Sequence, residues 1–184
     1  MESMVIDSFE TKTGIVVRVR PLLPEDAPYL VDIFEHMSAD SRYRRFHQPV
    51  NHLSPERIWA EAESIAHTPE QVGFIAFADL PGDPGTPVGA VRCVCLGDGK
   101  AETAVSVRDD MQKQGIGSHL LSLLVKEARN HGVTKLLATI QSSNRSIIHI
   151  LNRMPYAYTR KSIGPDTELE LDITSFDPEL FAKI

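Results

Sequence analysis

The sequence has few of the features that mark secreted, membrane-embedded or nucleic-acid-binding proteins. No apolar run in its 184 residues reaches the roughly 18 that a membrane-spanning helix needs. Residues 1–10 lack a basic segment followed by an apolar stretch, so no secretory signal is expected. With 19 basic and 25 acidic side chains the net charge is −6, which argues against general binding to nucleic acid or to anionic membranes. We therefore expect a cytoplasmic protein with neither as a partner.

Cysteine is also scarce, with only Cys93 and Cys95 present. Residues two apart on a strand point to the same face, which is a poor geometry for a disulfide between them. No group of Cys and His residues has the spacing of a zinc site. We expect two buried, reduced thiols and no bound metal.

The chain length and a composition of 42% hydrophobic and 24% charged residues predict one folded domain. Its first half predicts a strand, two helices and a three-stranded antiparallel meander. The strand covers 15–20, the helices cover 26–37 and a segment from Ser54 through Ile65, and the meander covers 72–80, 88–96 and 102–108 with a turn at 81–87. The polar, basic stretch 38–51 is assigned to no element.

The second half predicts a strand–helix–strand crossover followed by a helix and a hairpin. The helices are placed at 115–131 and 144–154, and the strands at 136–140, 156–162 and 167–173. A crossover inside an otherwise antiparallel sheet indicates an α+β fold with a mixed sheet. Residues 1–14 are interpreted as a polar lead-in, 15–173 as the domain and 174–184 as a tail.

A glycine-containing loop links the fourth predicted strand to the long helix, and it is the most informative segment. Gln112, Gly115 and Gly117 precede or open that helix. Glycines let the backbone come close to a ligand, and free N–H groups at a helix start favour an anion such as phosphate. The spacing matches neither the P-loop nor the Rossmann fingerprint.

The order Val105-x-Val107, then Gln112-x-x-Gly115-x-Gly117, closely resembles the acetyl-coenzyme A signature of the GNAT N-acetyltransferases. The predicted element order over 15–173 and the pair Asn144-Arg145 resemble that family as well. The resemblance implies a mostly antiparallel sheet of six to seven strands, flanked by about four helices. It also implies that strands 4 and 5 splay apart to admit the pantetheine arm of acetyl-CoA.

The resemblance further implies a set of cofactor-binding residues. Val105, Ser106 and Val107 would bind the arm, with the hydrogen bonds made by backbone groups of Val105 and Val107, and one N–H there would polarise the thioester carbonyl. Asn144 would contact the cofactor, and the pyrophosphate would lie on the loop formed by Gln112, Lys113, Gln114, Gly115, Ile116, Gly117 and Ser118. For Val105 and Val107, side-chain packing in the core is compatible with this role.

A finer resemblance, to the acetyltransferase module of bacterial protein-lysine acetyltransferases, rests on Arg20-Pro21, Glu25-Asp26 and segments 37–46 and 101–108. It implies that Glu102 is the general base. An amine with a pKa near 10.4 must lose a proton before it attacks, and a partly desolvated carboxylate facing a cleft could accept it. The alternative is an exposed strand glutamate paired with a neighbouring Lys or Arg.

One departure from the family concerns the general acid. Many members have a tyrosine seven residues after the cofactor asparagine, where this chain has Leu151, and the usual Gly-Phe after the helix is Pro155-Tyr156. Tyr156 and Tyr158 lie nearby but out of register. A thiolate is a tolerable leaving group, so the acid stays unassigned.

The remaining candidates have plainer explanations. Arg42, Arg44 and Arg45 are expected to form a solvated face, with selection of an acidic acceptor or of the 3′-phosphate as the alternative. His119 and His149 are expected to be ordinary helix residues, and Trp59 to lie in the core. Ser106 lacks the turn of an esterase nucleophile.

Three functional hypotheses remain open. The leading one is transfer of acetyl from acetyl-CoA to a primary amine, on a protein lysine or a small molecule, by direct attack. The second is a non-catalytic module that senses acyl-CoA, and the third is a structural interaction domain. The acceptor, the acyl-chain preference and the assembly, for which a homodimer is one possibility, are left open by the sequence.

Overall fold

The computed structural model describes residues 4–46, 54–153 and 157–175. Their strands form one eight-stranded sheet in the order β1-β2-β3-β4-β5-β6-β8-β7. The strands are β1 Asp7–Glu10, β2 Val16–Pro21, β3 Gln71–Leu80, β4 Asp83–Gly97, β5 Lys100–Val107, β6 Lys135–Gln141, β7 Tyr158–Ile163 and β8 Asp166–Asp172. Within the described residues only the β5–β6 pair is parallel, because helix α4 carries the chain back across the sheet.

Helices cover both faces of the sheet. They are α1 Ala27–Glu35, α2 Ala39–Phe46, α3 Pro55–Ala66, α4 Ile116–Asn130 and α5 Arg145–Arg153. The inward stripe of α4, which includes Leu120 and Leu124, packs with Val91 and Ala101 of the sheet. Helices α1 and α3 bury Phe34 and Ile65 against the opposite face, with Ile75 of β3. The sheet is thus the middle layer between two hydrophobic cores.

The feature that positions the site is the parting of β5 from β6. The two strands pair in parallel only from Lys100 to Glu102, opposite Lys135 to Leu137. Beyond that point, β5 pairs with β4 and β6 pairs with β8. Residues 103–107 and 138–141, all of them in the described part of the chain, therefore face each other without a ladder of hydrogen bonds.

The predicted fold class and the splayed strands are confirmed, but the number of strands is wrong. Asp7–Glu10, interpreted as lead-in, form β1 and pair with β2 through contacts such as Phe9 opposite Val17. This edge strand is short and largely polar, so it has too few apolar residues to reveal itself by alternation. The sheet has eight strands where six to seven were expected.

A helix that was not predicted and one strand boundary also differ from the prediction. Helix α2 forms in the unassigned stretch 38–51, where the Ser38 hydroxyl accepts a hydrogen bond from the Ser41 N–H at 3.2 Å and caps the helix. Strand β4 begins at Asp83, inside the predicted turn. Irregular register in the β3–β4 ladder accommodates the prolines there.

The predicted burial is wrong for one large side chain. Trp59 is 45% exposed. The inward stripe of α3 contains Ile58, Ala62 and Ile65, and a residue directly after Ile58 is turned about 100° away from that stripe. Trp59 therefore lies outside the core.

The two cysteines are free, as expected, but only Cys93 is fully buried, and Cys95 is half-buried. Burial raises the pKa of the Cys93 thiol to about 11. In the described residues, no helix is both long and apolar enough to cross a bilayer, and no three Cys, His, Asp or Glu side chains are grouped to hold a metal ion. The predicted tail lies outside the described residues from 176 onward.

A buried ion pair fixes the start of α1 to the end of β2. Arg20 Nη1 and Nη2 donate to the two Asp26 carboxylate oxygens at 2.6 and 2.8 Å. Asp26 also accepts a hydrogen bond from the Leu23 N–H at 2.8 Å, and the Arg20 guanidinium lies 4.9 Å from the Phe77 ring centroid. The hydrogen bonds to Asp26 raise the pKa of Arg20, so the Arg20 guanidinium stays charged.

Asp26→Ala should lower the free energy of unfolding by about 3 kcal/mol or more, because it leaves the Arg20 charge buried and unpaired. The matched control is Asp79→Ala, which breaks the exposed bidentate pair with Arg18 and should cost far less. Urea denaturation measures both variants. Equal losses would contradict this account of the buried pair.

Candidate functional site

The backbone of β5 presents alternate residues to the space between β5 and β6. The Arg108 N–H donates to the Val88 carbonyl at 3.1 Å, so residue 108 is bonded toward β4. Bonded and non-bonded pairs alternate along an antiparallel ladder. The register of the pair therefore turns the N–H and C=O groups of Val105 and Val107 away from β4 and into this space. Those of Ser106 point to β4.

Side chains on β5 follow a separate division. Val105 and Val107 are half-buried and pack against the α4 core. Ser106 is buried on the opposite face. The valines thus serve the core with their side chains while their backbone groups face the gap, as the sequence allowed. The burial of Ser106 fits its exclusion as a nucleophile.

The loop between β5 and α4 combines an extended residue with two left-handed ones. Gln112 has ψ 161°, and Lys113 and Gly115 have φ 62° and 91°. Helix α4 then begins at Ile116, which is buried, while Gly117 and Ser118 lie in its first turn. This turn carries N–H groups without an intrahelical acceptor, and the helix dipole makes it favourable to anions.

The side chain of Gln112 is exposed but hydrogen-bonds to other groups of the protein. Its Nε2 donates to the Val107 carbonyl at 3.2 Å and to Asp109 Oδ1 at 2.8 Å. The glutamine of the signature therefore ties the loop to the end of β5. Any contact that Gln112 makes with an anion through this loop is left to its backbone.

Asn144 is the cap of α5. Its Oδ1 accepts a hydrogen bond from the Ile147 N–H at 3.3 Å, and its carbonyl accepts one from the Ile148 N–H. Because β5 and β6 run in parallel, the start of α5 lies at the same edge of the sheet as the start of α4. Two helix N-termini therefore flank the wide end of the gap between β5 and β6.

Glu102 lies at the narrow end, where β5 and β6 part. It is the last β5 residue paired with β6. Its side chain is exposed, as in the alternative interpretation, and lacks the partial desolvation that the base interpretation invoked. Arg92, on the same face of β4, is half-buried, and burial lowers its pKa against the opposing effect of Glu61 and Glu102.

A small depression lies on this face, beside Arg92. It is bounded by α1 and α3 above and by β4 and β5 below, and its lining includes Leu30, Phe34, Ile65, Arg92, Ala104 and Ser106. It is largely apolar, with the Arg92 guanidinium as the charged group.

The structure gives no acid in the family's usual position. Leu151 is buried with Ile140 and Leu169, and the Tyr158 hydroxyl donates to Asn152 Oδ1 at 2.7 Å. Tyr156 and Pro155 lie outside the described residues. Of the arginine cluster, Arg42 is half-buried, which differs from the solvated face expected for it; the side chains of Arg44, Arg45 and His149 lie outside the description.

Sequence reasoning missed a set of contacts that holds the loop to α1. Arg108 is buried and donates to Asp32 on α1 at 3.2 Å and to Asp110 at 3.1 and 2.9 Å. Asp109 Oδ2 accepts a hydrogen bond from the Ser38 N–H at 3.2 Å. The run Arg108-Asp109-Asp110 was a usable signal, because two carboxylates beside one arginine at a strand end favour an ion-pair network.

The sequence model of the acetyltransferase (GNAT) family matches residues 30–154, more than half of the chain. The chain belongs to the GNAT family of acetyltransferases. Its GNAT relatives include the acetyltransferase Pat of Mycolicibacterium smegmatis, 29% identical over 181 residues, or 95% of this chain and 53% of that protein. This chain thus spans about half the length of that relative.

Solved structures agree with the family assignment. The GNAT domain of S. lividans PAT has a TM-score of 0.74 and 28% identity over 90% of this chain and 96% of that domain. A cAMP-binding acyltransferase from Mycobacterium smegmatis has a TM-score of 0.56 and 26% identity over 96% of this chain and 51% of that one. The GNAT fold predicted from the sequence is therefore confirmed.

The left-handed turn before α4 can be tested with a matched pair of glycines. Gly115 and Gly82 have φ 91° and 80°, and a Cβ on either would meet open space. Replacing either by alanine should cost about 1–2 kcal/mol of stability from backbone strain. If acetyl-CoA binds at this loop, it should raise the melting temperature, and only Gly115→Ala should reduce that rise. Equal ligand responses in the two variants would contradict a ligand role for this loop.

Proposed function

We propose that this GNAT chain transfers an acetyl group from acetyl-CoA to a primary amine by direct attack. The observation that carries the proposal is the end of β5–β6 pairing at Glu102 and Leu137. Beyond it, the N–H and C=O groups of Val105 and the N–H group of Val107 face a gap rather than a partner strand, while the Val107 carbonyl accepts a hydrogen bond from Gln112 Nε2. An extended ligand with amide groups, such as a pantetheine arm, is a chemical match for such an edge.

The loop and the two helix N-termini support the nucleotide end of this proposal. The pyrophosphate of the cofactor would accept hydrogen bonds from backbone N–H groups between Gln112 and Ser118, which α4 favours through its dipole. Asn144 would contact the cofactor from the start of α5. On this proposal the thioester would lie toward the narrow end of the gap, near Glu102.

On this proposal, Glu102 starts the reaction by removing a proton from the acceptor ammonium. Because Glu102 is exposed, a water molecule can carry that proton to the carboxylate. The neutral amine nitrogen then forms a bond to the thioester carbon, and a backbone N–H of β5 stabilises the oxyanion. The C–S bond breaks, the amide forms and CoA leaves as a thiolate.

The thiolate needs no acid from the protein to leave. A thiol pKa near 8.5 makes it a far better leaving group than an alkoxide. The buried Leu151 at the family's usual acid position is therefore compatible with turnover. After attack the amine nitrogen holds one proton more than the amide needs, and the thiolate takes this proton or one from solvent.

The proposal covers primary amines both on protein lysines and on small molecules. The resemblance to protein-lysine acetyltransferases implies a lysine side chain, and relatives over a shorter stretch are named for L-methionine sulfoximine and L-amino acids. The second candidate function is an acyl-CoA-sensing module without turnover. Two observations favour it, the exposed Glu102 and the apolar Leu151.

Glu102→Gln tests the base assignment. It keeps the shape of the side chain but removes its ability to accept a proton, so the rate of CoA release at neutral pH should fall by roughly 10²-fold or more. The affinity for acetyl-CoA should not change. The assay measures thiol release from acetyl-CoA with mixed amines and lysine-bearing proteins as acceptors.

Glu168→Gln is the matched control, because Glu168 is also an exposed strand glutamate and lies on β8, away from the gap. It should retain the wild-type rate. Turnover that survives Glu102→Gln would remove the base assignment. Binding of acetyl-CoA without release against any acceptor would favour the sensing module.

A further inference from the structure

We infer that the hairpin of β1 and β2 positions the loop between β5 and α4, which contains Gln112 to Gly115. Thr13 and Asp7 are the principal residues of the hairpin in this role. The inference rests on the proposed function, since it concerns the loop that would hold the pyrophosphate. It comes from two separate sets of contacts. One set holds the residue before Gly115, and the other holds the first turn of α4.

The first set joins the turn of the hairpin to Gln114. The Thr13 hydroxyl donates to Gln114 Oε1 at 3.0 Å, and the Lys12 N–H donates to the Gln114 carbonyl at 3.4 Å. The turn itself is well ordered by hydrogen bonds. Thr11 is buried. Its N–H donates to the Ile15 carbonyl at 2.8 Å, and its hydroxyl accepts a hydrogen bond from the Ile15 N–H at 3.0 Å.

The second set joins β1 to His119 in the first turn of α4. The Phe9 ring stacks on the His119 ring with centroids 3.8 Å apart. His119 Nε2 lies 2.5 Å from Asp7 Oδ2. The His119 N–H in turn donates to the Gly115 carbonyl at 3.0 Å. The start of α4 is thus held on the side of β1.

These contacts matter because the loop between them has an unfavourable backbone. Lys113 has φ 62°, a conformation that a residue with a side chain keeps only when its surroundings impose it. Gln112 is held by its hydrogen bonds to Val107 and Asp109, and Gln114 is held by its hydrogen bonds to the hairpin. Both neighbours of Lys113 are therefore fixed, which orients the loop N–H groups before a ligand arrives.

The test compares affinities for CoA and for pantetheine, which has the same arm without the diphosphate and nucleotide. Thr13→Val and Asp7→Ala, which remove the hydroxyl and the carboxylate acceptor, should each weaken CoA binding by roughly three- to tenfold and leave pantetheine binding unchanged. In the acetyl-transfer assay, KM for acetyl-CoA should rise while kcat is retained. Thr13→Ser, which keeps the hydroxyl, should behave as wild type.

Thr134→Val is the matched control, because it removes an exposed threonine hydroxyl that donates to the Gly99 carbonyl, far from the loop. It should lower the melting temperature without changing CoA affinity. The inference is overturned if both hairpin variants bind CoA as the wild type does, or if they weaken CoA and pantetheine equally. It is also overturned if Thr134→Val weakens CoA binding as they do. A wild type that binds no CoA would overturn the proposed function and this inference with it.

Discussion

The structure depends on the early parting of two parallel strands. Parallel pairing of β5 and β6 lasts for three residues and ends at Glu102. A β-strand edge with unpaired N–H and C=O groups is costly inside a protein unless something bonds to it. Each strand keeps a full ladder on its other side, and Gln112 bonds to the Val107 carbonyl, so the rest of the β5 edge can stay available. The sheet is stable without closing, and the gap is what remains for a ligand.

The surroundings of the gap divide the proposed chemistry between its two ends. The wide end has the N-termini of α4 and α5, which favour an anion. The narrow end has Glu102, with the half-buried Arg92 on the same face of the sheet. The hydrogen bond from Arg108 to Asp32 joins the loop to α1. The hydrogen bonds that Asp110 accepts from Arg108 keep the pKa of Asp110 below its usual value. Elements on both faces of the sheet are therefore fixed relative to the gap.

The sequence was most informative where local and long-range requirements coincide. Helix α4 has an apolar stripe, a glycine start and a C-terminal glycine, and β5-α4-β6 followed from it. Strand β1 and helix α2 were missed because neither has an apolar period: β1 is an edge strand that contains Asp7 and Glu10, and α2 contains three arginines. Their stability comes from pairing and capping that only the folded chain shows.

The site, like the fold, was predicted in part from the sequence. The signature located the loop and the strand, because glycines and a helix start have consequences for the backbone. It did not predict that the exposed Gln112 side chain bonds to Val107 and Asp109, and it left open whether Glu102 is desolvated or exposed, since side-chain direction depends on neighbours such as Asp109 that are not part of the periodic pattern. The role of the hairpin was invisible because Thr13 and Gln114 are about 100 residues apart.

Amide hydrogen exchange resolved to single residues tests the central claim most directly. If a pantetheine arm lies along the free edge of β5, saturating CoA should slow exchange at the N–H groups of Val105 and Val107. It should leave Ala104 and Ser106 unchanged, because their N–H groups already bond to β4. Slowing at alternate residues is the predicted result. Bound CoA with no change at Val105 and Val107, or with uniform slowing along all of β5, would contradict the account.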